Sequence, residues 1–426
     1  MVAIGVTLRF NPPGAVVPSM SDADYPEPDG EVDTLSPAAL AARIRADETV
    51  SILDVRDRDE FDAWHVDGPG VTSRQTPYVK FVQAEIKGTV ADLAPDLPEP
   101  IVVVCGEGKA SAYVADLLAT AGTEAANLAG GMDAWAELLV AAEVPTDGPA
   151  TVRQYQRPSS GCLGYLVESD GEAAVVDPLR AFTDRYVADA ADLDATISYA
   201  VDTHVHADHV SGVRTVAERT DAEVVLPAGA TDRDLAFDAR LVGDGETLTV
   251  GGASLRALGA PGHTHEMTAF VVGDAARNGG ETGTAGGDVL LAGDSLFLRS
   301  VARPDLEDGV DGAPELAALL HRTLTERFAG LPDEVLVAPG HYDATTTAAD
   351  SGAYAATLGD LRASLDALSM DSDRFVDHVL SAMPPRPNNY QRIIATNLGR
   401  ERVDDAEAFE MELGPNNCAA AGIDVE

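Results

Sequence analysis

ISYAVDTHVHADHVSGVRTVAER, residues 197–219, carries the densest chemistry in the chain. ISYAVDT (197–203) reads as an apolar strand, and SGVRTVAER (211–219) opens a helix. Between them His204, His206, Asp208 and His209 fall within six residues. Such groups repel one another when the imidazoles are protonated. They make sense around a cation, which favours neutral imidazole and ionised carboxylate. A strand-to-helix turn also mounts them rigidly, at the kind of sheet edge where open α/β layers place their sites.

Three further segments end in the same way. SLRALGAP (254–261) runs into Gly262-His263, VLLAGD (289–294) ends on Gly293-Asp294, and EVLVAPG (334–340) runs into His341. Together with CLGYLVES (162–169), EAAVVDP (172–178) and AFVVGD (269–274), these make residues 150–345 rich in short apolar strands with Gly, Pro, Ser or Asp at their ends. Strands ending at one edge would gather His263, Asp294 and His341 around the 204–209 turn. His265 is expected to wall a pocket or face solvent. His65, His321 and His378 stand alone and read as structural. Cys162 reads as a small buried hydrophobe.

The order THVHADH, PGHT, GDS, PGH between residues 159 and 341 resembles the metallo-β-lactamase-fold hydrolases. The resemblance implies an αββα sandwich with a metal at one sheet edge. In glyoxalase II-like members, His204, His206 and His263 would hold one Zn(II). Asp208, His209 and His341 would hold a second, with Asp294 bridging. Other segments are similar to persulfide dioxygenases found fused to rhodanese domains: GDSLFLRSVARPDL (293–306), SSGCLGYLV (159–167) and PRPNNYQRIIATNLG (385–399). That resemblance implies one Fe(II) per chain on His204, His263 and Asp294, a facial triad that leaves positions open for substrate and O₂. His206, Asp208, His209 and His341 would then orient ligands and waters. A low-molecular-weight thiol persulfide would be oxidised to sulfite. Arg299 and Arg303 match arginines of that family, where each would anchor an anionic thiol carrier or pair with Asp305.

A second centre lies at Cys105. IVVVCGEG (101–108) is an apolar strand that enters the turn Gly106-Glu107-Gly108-Lys109-Ala110-Ser111, and ASAYVADLLATAG (110–122) is a helix. Backbone N–H groups of such a loop converge on the sulfur, and with the helix N-terminus they stabilise an anion there. LSPAALAARIRA (35–46) and VSILDVRD (50–57) continue the alternation of helix and strand, which predicts a parallel sheet with flanking helices over 34–146. LDVRDRDEFDAWHVDGPG (53–70), VVVCGEGKASAYVADLL (102–118) and NLAGGMDAW (127–135) resemble the rhodanese pattern in order. The resemblance implies that Cys105 carries a persulfide during sulfane-sulfur transfer, with thiosulfate or sulfite as partner. The loop's usual Arg is Lys109 here, and Glu107 adds a negative charge.

Composition bounds the rest. The chain has 426 residues, 71 acidic against 29 basic, and a formal charge of −42. Lys80, Lys87 and Lys109 are its only lysines. Nucleic acid and anionic membranes are excluded as partners because both would repel this surface. Dispersed acidity with so little lysine reads as halophilic. The three cysteines are widely spaced and odd in number, which points to a reducing cytoplasm rather than a disulfide scaffold. There is no apolar run long enough to span a membrane and no signal-peptide pattern. Residues 1–33 read as a flexible lead-in, with Met20 resembling a natural start. PTDGP (145–149) reads as an interdomain linker, GGETGTAGGD (279–288) as a Gly-rich loop, and 346–426 as a helical extension with a polar tail. A homo-oligomer is compatible with all of this.

Overall fold

The computed structural model describes residues 25–277, 288–381, 383–414 and 418–420. Most of the expected lead-in, residues 1–24, lies outside the described residues, and so do the Gly-rich loop up to residue 287 and the end of the tail. The first sheet has five strands: β1 (Thr34–Leu35), β2 (Val50–Asp54), β3 (Val71–Gln75), β4 (Ile101–Val104) and β5 (Ala125–Leu128). All pairs are parallel, in the order β1-β5-β4-β2-β3. Parallel neighbours need crossovers. Helices α1 (Pro37–Arg45), α2 (Arg58–Ala63), α3 (Tyr78–Lys87), α4 (Lys109–Thr120) and α5 (Gly131–Ala136) flank the strands. Side chains alternate across the sheet. Ile52, Val102 and Val104 pack on α1 and α5 through Leu40, Ile44, Met132 and Trp135. Leu53, Ile101 and Val103 meet Phe81, Val114 and Leu118 of α3 and α4. A sheet covered on both faces accounts for the unbroken apolar run IVVV.

Two further sheets face each other. The seven-stranded one holds β6 (Val140–Val144), β7 (Thr151–Gln156), β8 (Leu163–Ser169), β9 (Glu172–Val176), β10 (Thr196–Val201), β11 (Glu223–Pro227) and β12 (Arg240–Val242), in chain order. The six-stranded one holds β13 (Thr247–Val250), β14 (Ala253–Gly259), β15 (Thr268–Asp274), β16 (Val289–Gly293), β17 (Leu336–Pro339) and β18 (Ala356–Thr357). Val167, Val176, Val201, Leu255, Phe270 and Leu291 fill the space between them. Their sequence neighbours point outward. Leu166, Val175 and Ala200 pack on helices α6 (Thr183–Asp192) and α7 (Val213–Thr220). Val271, Leu290 and Val337 share a core with residues of α8 (Gly309–Arg322), α9 (Leu358–Ser364) and α10 (Ser372–Ser381). This is the αββα sandwich expected from the motif order. Helices α11 (Tyr390–Asn397) and α12 (Asp405–Met411) complete it.

The expected boundary at 146–150 does not follow the sheets. β6 pairs antiparallel with β7, from Val140↔Gln156 to Val144↔Val152, so the second unit's sheet already begins at residue 140. PTDGP is part of the β6–β7 hairpin connection. Pro, Asp and Gly punctuate hairpins as readily as linkers, and composition alone does not separate the two.

Candidate metal centre and cysteine loop

Both sheets of the sandwich deliver residues to one edge. Asp177 directly follows β9 and Asp202 directly follows β10, and the 203–209 turn departs from there. On the facing sheet β14 leads to His263, β16 to Asp294 and β17 to His341. The edge is tied shut where Leu163 N donates to Gly340 O at 2.8 Å and Cys162 bridges to His341. Gly340 permits the close approach, because a Cβ there would meet Asp294 Oδ1 at 2.3 Å.

His204, His263 and Asp294 come together, wholly buried. His204 Nε2 lies 3.8 Å and His263 Nε2 3.7 Å from Asp294 Oδ2. Donor atoms that each sit ~2.1 Å from one ion are roughly 3–4 Å apart, so the spacing fits a shared cation. All three atoms are buried without a hydrogen-bond partner among the described residues, and so are His206 Nδ1, Asp208 Oδ1 and His209 Nε2. Orphaned polar atoms at this density are costly unless an ion or water completes them. The opposite ring nitrogens are engaged. His263 Nδ1 donates to Arg303 O at 2.7 Å, and His204 Nδ1 lies 2.9 Å from Thr203 Oγ1, which donates to Asp177 Oδ2. These bonds turn the Nε2 lone pairs toward the centre. The residues therefore fit a bound metal ion.

Charge points the same way. Burial alone would raise the Asp294 carboxyl, yet His341 beside it, with His204 and His263, holds it well below the usual carboxylate range. Asp208 is held down against burial by His209 and His341. Burial pushes His204 well below the ordinary imidazole value. His206 is driven well above it because Asp177, 3.1 Å from Nε2, outweighs burial. His209 is pushed up to about 9 by Asp208, again against burial. The cluster draws positive charge to itself, the role a cation fills.

Several residues here escaped the sequence reading. Asp177 orients His206 and takes the Thr203 N–H at 2.7 Å. Its signal was present, since EAAVVDP ends at the same edge as the other motif strands. Cys162 is buried as expected, but its Sγ donates to Asp208 Oδ2 at 3.2 Å, so it faces the centre rather than a purely apolar core. Cys418 is grouped with Asp208 and His341, and burial pushes its thiol well up. Asn397 of α11 donates to His206 O and His209 O, and Glu412 accepts from Val210 N at 2.8 Å. The C-terminal segment thus clamps the histidine turn. His265 is largely exposed beside Glu307.

The two arginines differ. Arg303 is 1% exposed, with Nε 2.7 Å from Asp305 Oδ1 and further bonds to Pro384 O and Pro385 O. A guanidinium so enclosed has no face for a substrate, so of its two expected roles the ion pair with Asp305 is the one found. Arg299 is exposed.

At the other centre, Cys105 directly follows β4 and is 6% exposed. Gly108 N and Ser111 N donate to Sγ at 3.1 and 3.3 Å. Ser111 Oγ lies 3.1 Å from Sγ and 2.7 Å from Asn127 Oδ1. Gly106 is half-buried and Ala110 buried at the start of α4. Gly131, at φ +59°, brings the N-terminus of α5 under the loop, where Met132 N and Asp133 N donate to Cys105 O and Gly106 O. Lys109 does not turn to the sulfur. Its Nζ pairs with Glu107 Oε2 at 2.8 Å on the surface. Anion stabilisation therefore falls to backbone N–H groups and the helix end.

Comparison with known proteins matches two stretches of the chain to two families. Residues 36–138 match the model of the rhodanese-like domain, and residues 159–275 that of the metallo-β-lactamase superfamily. The chain joins a rhodanese-like domain to a metallo-β-lactamase domain. The mitochondrial persulfide dioxygenases of Mus musculus and Homo sapiens are each 25% identical over 256 residues, covering 59% of this chain and 88% of theirs. A hydroxyacylglutathione hydrolase of Xanthomonas euvesicatoria pv. vesicatoria is 33% identical over 177 residues, covering 41% of this chain and 58% of its own. A solved metallo-β-lactamase from Staphylococcus aureus subsp. aureus COL aligns with TM-score 0.50 and 24% identity, covering 60% of this chain and 74% of that one. The metallo-β-lactamase domain is that of a metal-dependent enzyme family acting on small molecules. Among the described residues no helix is long and apolar enough to cross a membrane.

Proposed function

We propose that the protein oxidises a low-molecular-weight thiol persulfide to sulfite at the metallo-β-lactamase domain, with one Fe(II), and transfers sulfane sulfur through Cys105 of the rhodanese-like domain. The observation that carries this reading is the convergence of the unpartnered lone pairs of His204, His263 and Asp294. His341 supports a single metal there, because its two ring nitrogens each lie 2.9 Å from a carboxylate oxygen, of Asp294 and Asp208. The persulfide dioxygenase relatives, covered over 88% of their length, supply the substrate class.

The overall reaction takes R–S–SH, O₂ and water to R–SH and sulfite, with two protons released. The S–S bond breaks, the terminal sulfur loses four electrons and O₂ gains them. Iron(II) bound at this site would supply the redox chemistry that lets O₂ react. The chain's own residues hold and aim that centre. Asp177 fixes His206, Arg303 O fixes His263, and the buried edge excludes bulk water. Three free cysteines suit a reducing, cytoplasmic setting.

Anaerobically purified protein is expected to contain one iron per chain and to consume O₂ and form sulfite in equal amounts. A second reading, a binuclear zinc thioester hydrolase, is favoured by the orphaned Asp208 Oδ1 and His209 Nε2. Two zincs per chain with thiol release from a hydroxyacyl thioester, and no sulfite, would replace the first reading with the second. Cys105→Ser is expected to abolish thiosulfate:cyanide sulfurtransfer. Wild-type protein inactive in that assay would leave the rhodanese-like domain a binding module.

A further inference from the structure

A cavity of about 350 Å³ lies between the two domains, within the size range of small-molecule sites. One wall comes from the metallo-β-lactamase domain and includes Phe297 and His341. His341 bonds both Asp294 and Asp208, so the cavity ends one residue from the metal centre. The ring of Phe297 stands edge-on to His341, with centroids 6.1 Å apart. The facing wall comes from the rhodanese-like domain and includes Arg45, Trp64, His65 and Trp135.

The rhodanese-side residues are held in place. Trp64 O accepts from Arg56 Nη2 at 2.7 Å, and the Arg56 guanidinium lies 5.7 Å from the Trp64 ring centroid. His65 stacks on Phe61 at 4.1 Å and donates from Nδ1 to Phe61 O. Arg45 is half-buried at the end of α1 and pairs with no carboxylate among the described residues. Among the described residues Arg45 is the one arginine or lysine that lines the cavity, which Asp62, Asp67 and Asp343 line as well. A planar guanidinium facing a cavity is suited to a carboxylate. The aromatic surfaces suit an aliphatic stem and sulfur.

We infer that this cavity binds a carboxylate-bearing low-molecular-weight thiol carrier. The rhodanese-like domain supplies its carboxylate anchor, Arg45, and an aromatic wall, Trp64, while the sulfur end points past Phe297 to His341. The sulfur end's assignment rests on the persulfide reading above. On this view the N-terminal domain completes the substrate site of its neighbour, and not only passes sulfur to it.

The test uses an advantage of the sequence. Trp64 and Trp135 are the chain's two tryptophans, and both line the cavity. Full-length, metal-loaded protein is titrated with S-methylglutathione, an unreactive thioether, and with the smaller S-methylcysteine, while tryptophan emission is followed. S-Methylglutathione is expected to give a saturable change, and Arg45→Gln to weaken it about ten-fold, the effect of losing one charge-assisted hydrogen bond. Trp64→Phe keeps Trp135 as reporter, and circular dichroism checks that each variant folds. With glutathione persulfide, Arg45→Gln should raise KM for sulfite formation and leave kcat within about two-fold. If sulfite forms but Arg45→Gln and Trp64→Phe bind and turn over like wild type, the cavity inference falls and the proposed function stands. If no sulfite forms but the thioether binds in an Arg45-dependent way, the function falls and the cavity inference stands. Absence of both overturns both.

Discussion

Asp294 shows how a single residue serves the metal centre and the fold together. Oδ1 takes a hydrogen bond from His341 and Oδ2 faces His204 and His263. Such a centre depends on the groups behind it. Asp177→Asn keeps the size but weakens the acceptor for His206 Nε2, and is expected to lower metal affinity about 10–100-fold, measured by competition with a chelator. Unchanged affinity would remove His206 from the metal's surroundings. At the cysteine loop the roles of two neighbours separate. Ser111→Ala should lower sulfurtransfer about five-fold, the worth of one hydrogen bond near 1 kcal/mol. Lys109→Ala, which breaks the exposed ion pair with Glu107, should change stability by less than ~1 kcal/mol. A large loss of sulfurtransfer in Lys109→Ala would show that the lysine leaves Glu107 during turnover.

At the level of elements, buried ion pairs bind the C-terminal helices to the sandwich. Arg157 is wholly buried, pairs with Glu412 Oε2 at 2.5 Å and donates to Ala136 O at the end of α5. Phe182 and Phe409 flank its guanidinium. Glu412→Gln should therefore destabilise by about 3–5 kcal/mol in urea unfolding, because the cation is left without its counter-charge. An Arg157→Met/Glu412→Met pair should recover much of that loss. Asp305 adds a pH signature. Burial would raise its carboxyl, but Arg303 and Arg386 hold it below the ordinary value. Its contribution is thus complete above about pH 5 and is lost as pH falls through its lowered folded value. The stability gap between wild type and Asp305→Asn should be constant from neutral pH down to about pH 5 and shrink below about pH 4. A gap that grew on acidification would contradict the ion pair.

The motif strands were legible because each buries two faces and stops at a polar residue, as VLLAGD does. β6 was not, since VAAEV alternates weakly and a Pro-Gly-rich hairpin follows it. The arginines and cysteines needed the structure. What separates Arg303 from a substrate anchor is Asp305 together with two carbonyls some 80 residues away, and what turns Cys162 toward Asp208 is the closure of one sheet on another. Sequence spacing holds no record of such long-range closures.

For the whole molecule, the metal centre would join the two facing sheets at an edge that hydrogen bonds such as Leu163 N to Gly340 O already tie. Stripping the metal with a chelator should lower thermal stability. Restoring free metal to a hundred times its Kd should return about 2.7 kcal/mol. A melting profile indifferent to metal would mean that the edge is fully organised without it.

The position of β6 has a practical consequence for dissection. Only residues 137–139 separate α5 from β6. Severing the polypeptide at the Pro-Gly stretch near 146 would amputate an edge strand from the metalloenzyme half and bare the flank of β7 to aggregation. Independent halves should instead be cut within those three residues, and even there each fragment would lose the Arg157 grip on the last turn of α5.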